Sequence, residues 1–421
     1  METISGEIMI NETPYPLLGE AVHFVSHAFG LVGDDEHLSQ RLNGFAHESD
    51  FNLATANTLI DEALLIPLRR IDAAALNHVE NWLTQLLADY KTIVLTVPAD
   101  VADRTTVLRI LPYELFIPST VIFLNQLPVS PNVSRWFEPI DTCPIEEVLS
   151  WWMESFGVSE SELLDFIGQH YLIDESASRD LLVCWKTDAT LLDISSLLEF
   201  KMSGKPEIRH LVFWLILAKA WQYTLQSVAK RFGYEASWTF TEIVHAVYRE
   251  HLAEFRPKPA AIRATLMKEI KDLDELVYLR NALKKHCLRP LRQIFIEAAS
   301  FDEKRARATL TKIETDALSP NFLYFVEHGW GRYYALCGDY EEALTHYQKA
   351  FEHAVYRAGR LTRQILKELL VLAVFLDDSA IIKHYYRWGC VMGLFSGLGD
   401  TPEVSEIKPL QKAFTKLFFV N

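Results

Sequence analysis

The stretch Tyr324–Arg357, YFVEHGWGRYYALCGDYEEALTHYQKAFEHAVYR, decides how this chain is read. Trp330, Gly331 and Tyr334 share one helical run, and Gly338-Asp339-Tyr340 supplies a turn. Ala343, Tyr347 and Ala350 then recur at i, i+4 and i+7, which places them on one face of a second helix. Gly331 and Ala343 are small where two antiparallel helices approach closely. The stretch therefore predicts a helical hairpin.

The hairpin resembles the tetratricopeptide repeat, a helix–turn–helix unit of about 34 residues. Gly331, Tyr334, Gly338, Tyr340, Ala343, Tyr347 and Ala350 match its pattern, while Glu327 stands for the usual early Trp and Val355 for the closing Pro. Ala306, Leu310 and Ile313 repeat the small–large–apolar triplet upstream, and Ile382, Tyr386 and Gly389 repeat it downstream. Such a unit cannot bury its apolar side alone, so the resemblance implies a stack of hairpins from about residue 260 to the end. It also implies a concave surface for a protein or peptide partner. On that expectation Phe325, His328 and Arg332 point into the groove, two of them anchor types common at interfaces.

Outward from the repeat, the 421 residues are 49% hydrophobic and 23% charged, with 17 glycines and 17 prolines. That composition excludes disordered and collagen-like classes and accommodates two to four domains. The net charge is −15, which argues against a general nucleic-acid coat, since binding phosphates needs a basic surface. The charge is uneven: residues 1–142 carry 7 basic against 19 acidic side chains, 143–255 carry 9 against 17, and 256–421 carry 25 against 20. The basic part can face an acidic partner or dock on the acidic remainder.

In the first third, a helical pattern over 71–90 precedes Thr92–Val97, a short β-branched run closed by Pro98, and 119–126 is a second such run. These predict two strands and a small α/β unit, although no Gly-rich phosphate loop follows either one. The Pro-containing stretch 127–144 reads as a linker. Beyond it come amphipathic helices at 145–156 and 159–170, and an apolar core helix at 208–231. The expected fold is mostly α: an α/β N-terminal domain (1–142), a helical middle domain (143–255) and a tetratricopeptide-like α-solenoid (256–421).

Three constellations could carry chemistry. Glu20, His23 and His27 fall on one side of a helix and could converge on a metal, which would make the chain a metal-dependent enzyme regulated by its helical back half. Glu207-x-x-His210 and Glu242-x-x-His245 resemble the paired motif of carboxylate-bridged di-iron bundles. Residues 227–250 resemble the second helix-turn-helix of arabinose-regulator-type transcription factors through Ala229, Gly233, Tyr234 and Phe240, which would imply a DNA-binding regulator, but Trp238 and Glu242 depart from its pattern. The five cysteines form no C-x-x-C pair and fit reduced, mostly buried thiols of a cytoplasmic protein. No secretory signal is recognised, and the apolar run 211–218 is too short to cross a bilayer. The favoured expectation is a cofactor-free adaptor, regulator or neutralising (immunity-type) protein that binds a protein or peptide.

Overall fold

The computed structural model describes residues 13–32, 35–127, 130–133, 136, 143–187, 206–232, 258–268, 277–279, 281, 302–315, 319–395 and 404–418. Among the described residues every regular element is helical and no strand occurs. The expected α/β portion is therefore wrong. In chain order the first helices are α1 (Leu18–Phe29), α2 (Glu36–Ala46), α3 (Leu53–Ile60), α4 (Ile66–Ile71), α5 (Ala73–Thr96), α6 (Arg104–Leu111) and α7 (Ile117–Gln126). There follow α8 (Pro144–Phe156), α9 (Glu160–Tyr171), α10 (Glu175–Thr187) and α11 (Pro206–Phe232).

Both supposed strands are the ends of helices. Leu86, Tyr90, Ile93, Val94 and Val97 are all buried, and their spacing of four, three, one and three residues continues the apolar stripe of α5. The β-branched content of 92–97 is a weak local preference that this stripe overrides. The second run lies in α7, where Ile117–Leu124 is buried on every side, so no period was there to be read.

Prolines inside these helices are accommodated in one recurring way. A π-helical turn, Asp61–Leu65, precedes Pro67, and another, Pro112–Phe116, precedes Pro118. At each, the N–H after the turn bonds five residues back, Ile66 to Asp61 and Ile117 to Pro112. The wider turn swings away the carbonyl that the following proline ring would strike, so the helix continues. The helical run Arg104–Gln126 so formed is long and apolar enough to cross a membrane, at mean hydropathy 1.6, and 67% of its most apolar window is buried inside the protein.

The chain divides into two interleaved units. One joins residues 1–16, 90–110 and 258–421; the other joins 17–89 and 111–257. A boundary thus falls at 257/258, whereas the one expected at 142/143 lies inside a unit. In the second unit α11 is the core helix anticipated from its composition: Leu211–Ala218 is at most 4% exposed. Helices α1 and α8 pack on α11, and the Trp214 ring lies edge-on to Trp136 and Trp151. Ser159 caps α9 through a reciprocal pair with Glu162, the Glu162 N–H reaching the Ser159 hydroxyl and the Ser159 N–H reaching the Glu162 carboxylate.

The first unit contains α12 (Pro259–Lys268), α13 (Glu303–Thr315), α14 (Leu323–Cys337), α15 (Tyr340–Ala354), α16 (Arg360–Phe375), α17 (Ser379–Val391) and α18 (Val404–Phe418). From α13 to α17 each helix packs on the next. Gly338 closes α14 in the left-handed conformation, at φ 82°, and Asp339 caps α15 by accepting from the Glu342 N–H. This is the hairpin that the sequence predicts. Ala343, Tyr347 and Ala350 are fully buried on α15, as are Ala306, Leu310 and Ile313 on α13. A Cβ on Gly331 would sit 3.1 Å from the Tyr347 ring, so Gly331 makes room for an aromatic ring. Glu327, which departs from the repeat pattern, bonds across the hairpin to His346 Nδ1 at 2.7 Å.

Candidate functional site

The three expected groove residues are buried: Phe325 is 4% exposed, His328 0% and Arg332 1%. None of them projects into solvent, which corrects the expectation of an exposed recognition face on α14. Helix α14 is covered by its neighbours, and what those three side chains meet is the interior.

His328 and Arg332 converge on Glu368 of α16. The Glu368 carboxylate accepts from His328 Nε2 at 2.9 Å, Arg332 Nε at 3.1 Å, Arg332 Nη2 at 2.7 Å, the Tyr347 hydroxyl at 2.9 Å and Gln364 Nε2 at 3.0 Å. Three helices are thereby tied at one anion. Burial pushes the carboxyl up, but Arg332 and His328 outweigh it and hold Glu368 well below the ordinary carboxylate range. Burial and the Arg332 charge pull His328 down against the pull of Glu368. His328 is therefore neutral, with Nε2 donating and its other nitrogen, Nδ1, buried without a partner. This is a packing network, and it meets the surface only through Gln364, which is exposed.

Both shifts have the same consequence in acid. Glu368 contributes stability above its unfolded pKa of about 4.3, and this is lost as pH falls toward its depressed folded value. Below about 6.5 the unfolded state takes up a proton at residue 328 that the folded state refuses, so stability falls there too. The melting temperature is expected to decline below pH about 6.5 and more steeply below about 4.5. In His328→Gln the upper limb of that decline should flatten relative to the wild type. Identical profiles from pH about 7 to about 5 would count against a neutral buried His328.

The open feature of the first unit is a groove of about 530 Å³, within the usual range for ligand sites. Its walls are two turns and a helix. The turn after α5 presents Pro98 and Asp100, the turn between α15 and α16 presents Ala358, and α12 presents Arg263, Ala264 and Met267. Phe325 lies on the floor and Arg360 at the mouth of α16. The two turns are locked together: the Ala99 N–H donates to the Arg357 carbonyl at 2.8 Å, and the Tyr324 hydroxyl donates to Asp100. The Tyr15 hydroxyl braces the same turn through the Val97 carbonyl at 3.1 Å, and burial followed by the Asp100 charge raises that phenol well above its ordinary range.

One of the three non-glycine residues with positive φ among the described residues lies beside this groove. Tyr356 has φ 63° and Gly359 has φ 52°, both in the turn joining α15 to α16. Such positions persist only where the surroundings hold them, and they gather at functional sites. The groove's exposed surface is apolar and cationic, and its carboxylate, Asp100, is 2% exposed and already engaged. That chemistry suits holding a ligand. Of the sequence-predicted residues the groove takes in Phe325 alone, and as floor. The walls from 96–100 and 259–267 were missed, because nothing local marks residues that only the fold brings together.

The other candidates do not assemble. Glu20 accepts from the Leu17 N–H at 2.5 Å and so caps its own helix, His23 pairs with Asn43 at 2.8 Å, and the His27 ring lies tilted against His23 with ring centroids 4.2 Å apart. Among the described residues no group of three or more His, Cys, Asp or Glu could hold a metal. His210 lies 3.4 Å from Asp72, while Glu242 and His245 lie outside the described residues, as does the helix-turn-helix segment from 233 onward. Cys143, Cys184, Cys337 and Cys390 are free, but Cys337 is exposed and the other three half-buried, less covered than expected. No family model, curated protein or solved structure matches this chain.

Proposed function

We propose that this chain is a binding protein that takes a peptide or short protein segment into the groove between the 96–100 turn, α12 and the 355–361 turn, and that it acts in the cytoplasm as an adaptor, regulator or neutralising partner. The observation that carries this is the groove itself: an open, mostly apolar cleft of about 530 Å³ whose walls are held by a buried backbone hydrogen bond and a buried phenol–carboxylate pair. A preformed cleft spares its ligand the cost of ordering the receptor. The succession of helices from α13 to α17 supports the tetratricopeptide-like reading of that region, and the free cysteines fit a reducing compartment.

Ala264 is exposed on α12 and lines the groove, so Ala264→Trp fills the cleft without entering the core. Its stability should stay within the range of ordinary surface changes, about 0.5 kcal/mol, as read from a thermal melt. A photo-crosslinking residue at Met267 should capture one defined segment of a partner, mapped by mass spectrometry, and Ala264→Trp should abolish that adduct. Undiminished capture by the Trp variant would place the binding surface elsewhere.

A further inference from the structure

We infer that the occupant of this groove is an acidic peptide segment, carboxylates flanking an apolar side chain, and that Arg263 and Arg360 select it; the inference rests on the binding function proposed above. Arg263 and Arg360 both line the groove and both are exposed. Among the described residues neither side chain makes an ion pair or a hydrogen bond. Among the described residues no carboxylate other than Asp100 lines the groove, and Asp100 is buried against Tyr324. Among those residues the two guanidinium groups meet no counter-charge in the groove. Each guanidinium is a planar fork that matches a carboxylate with two parallel hydrogen bonds.

The start of α16 adds to the same sign. Its N-cap, Gly359, offers no side-chain acceptor, and its first turn holds no acidic residue. No acidic group of the helix's own first turn offsets the partial positive charge at this end, next to Arg360. Met267, at 42% exposure, and the buried Phe325 line the same groove and give it an apolar seat. A purely polar anion would leave that seat wet, and a purely apolar segment would desolvate the arginines without pairing them.

The whole chain's charge decides what kind of anion can come. A net charge of −15 disfavours close approach of a long polyanion within the roughly 8 Å that salt leaves unscreened. A short segment seated in the groove feels mainly charges within a Debye length of about 8 Å, where the two arginines dominate. A peptide with a few carboxylates meets that condition, and a nucleic acid does not.

The test uses two fluorescently labelled, amidated peptides, EDEFLEDE and its amide counterpart QNQFLQNQ, titrated by anisotropy onto the full chain. The acidic peptide is expected to bind roughly tenfold or more tightly than its counterpart, with a preference that shrinks between about 50 and about 300 mM salt. Arg263→Gln/Arg360→Gln should erase the preference with the thermal melt unchanged, and Arg263→Lys/Arg360→Lys should restore part of it. Equal affinity for the two peptides, with both lost in Ala264→Trp, would overturn the acidic inference and leave the groove reading standing. Acidic binding untouched by the double Gln variant would overturn it by placing the acid site elsewhere. Two other occupants are tested in parallel. A labelled oligouridylate that outcompetes the peptide, or self-association in sedimentation that Ala264→Trp abolishes, would replace the peptide with RNA or with a second copy. If neither peptide binds, partner capture separates the cases: capture lost in Ala264→Trp sinks only the acidic inference, and capture unaffected sinks both.

Discussion

Arg332→Ala is expected to cost about 3–5 kcal/mol of stability, because it strands the Glu368 carboxylate in the core with its main counter-charge gone. Arg332 is 1% exposed and gives Glu368 two hydrogen bonds, through Nε and Nη2. Water cannot replace the lost guanidinium at such depth. Phe325→Ala/Arg332→Ala, which an exposed groove would tolerate within about 0.5 kcal/mol, should therefore melt far below the wild type. The companion double change, Arg332→Met/Glu368→Leu, removes both charges together and should recover a large part of the loss. It should not recover all of it, since His328 Nε2 and the Tyr347 hydroxyl lose their shared acceptor and a stranded neutral donor costs about 1–3 kcal/mol. Urea melts of Arg332→Met, Glu368→Leu and the double give the coupling directly. Additive losses would show that the pair does not act as a unit.

Gly359→Ala carries the second large effect, and it acts on the groove. The residue sits at φ 52° and ψ −124°, a region costing an L-residue about 1–3 kcal/mol. Its new Cβ would also lie 2.7 Å from both the Pro98 nitrogen and the Val97 carbonyl carbon. Those are backbone atoms, which cannot rotate aside. The two turns must part, and the Ala99–Arg357 hydrogen bond between them is lost. The combined cost is about 2–4 kcal/mol. Gly338→Ala is the control: it shares a positive φ, 82°, but a Cβ there meets nothing within 4 Å, so only the backbone penalty applies. Partner capture measured at low temperature, where both variants remain folded, should fall for Gly359→Ala and hold for Gly338→Ala. Equal behaviour of the two would mean that the turns are not clamped.

The contrast between Gly338 and Gly359 shows which features of this chain are written locally. Gly338-Asp339 ends one helix and caps the next using its own neighbours, so a short window suffices to recognise the turn. Gly359 is required by Val97 and Pro98, more than 250 residues away, and no window contains both. The buried arginine follows the same logic. Phe325, His328 and Arg332 do share a face of α14, as their spacing demands. Whether that face meets solvent or another helix is not a property of spacing, and α16 supplies the carboxylate that turns it inward.

The N-terminal part reverses the error. Thr92–Val97 has the composition of a strand, and a short apolar run carries no mark of which period it serves. Its residues become helical because α5 already projects a stripe onto the core, and continuing the helix buries Ile93, Val94 and Val97 at no extra nucleation cost. The sequence by itself determined the hairpin around Gly338 and the core helix at 211–218, since each rests on periodicity or turn chemistry within a few residues. Tertiary structure alone decided the helical fate of the β-branched runs, the burial of Arg332 and His328, and the groove. Each of these depends on desolvation and contact between segments far apart in the chain, where the free energy of burying a group is set by what lies against it.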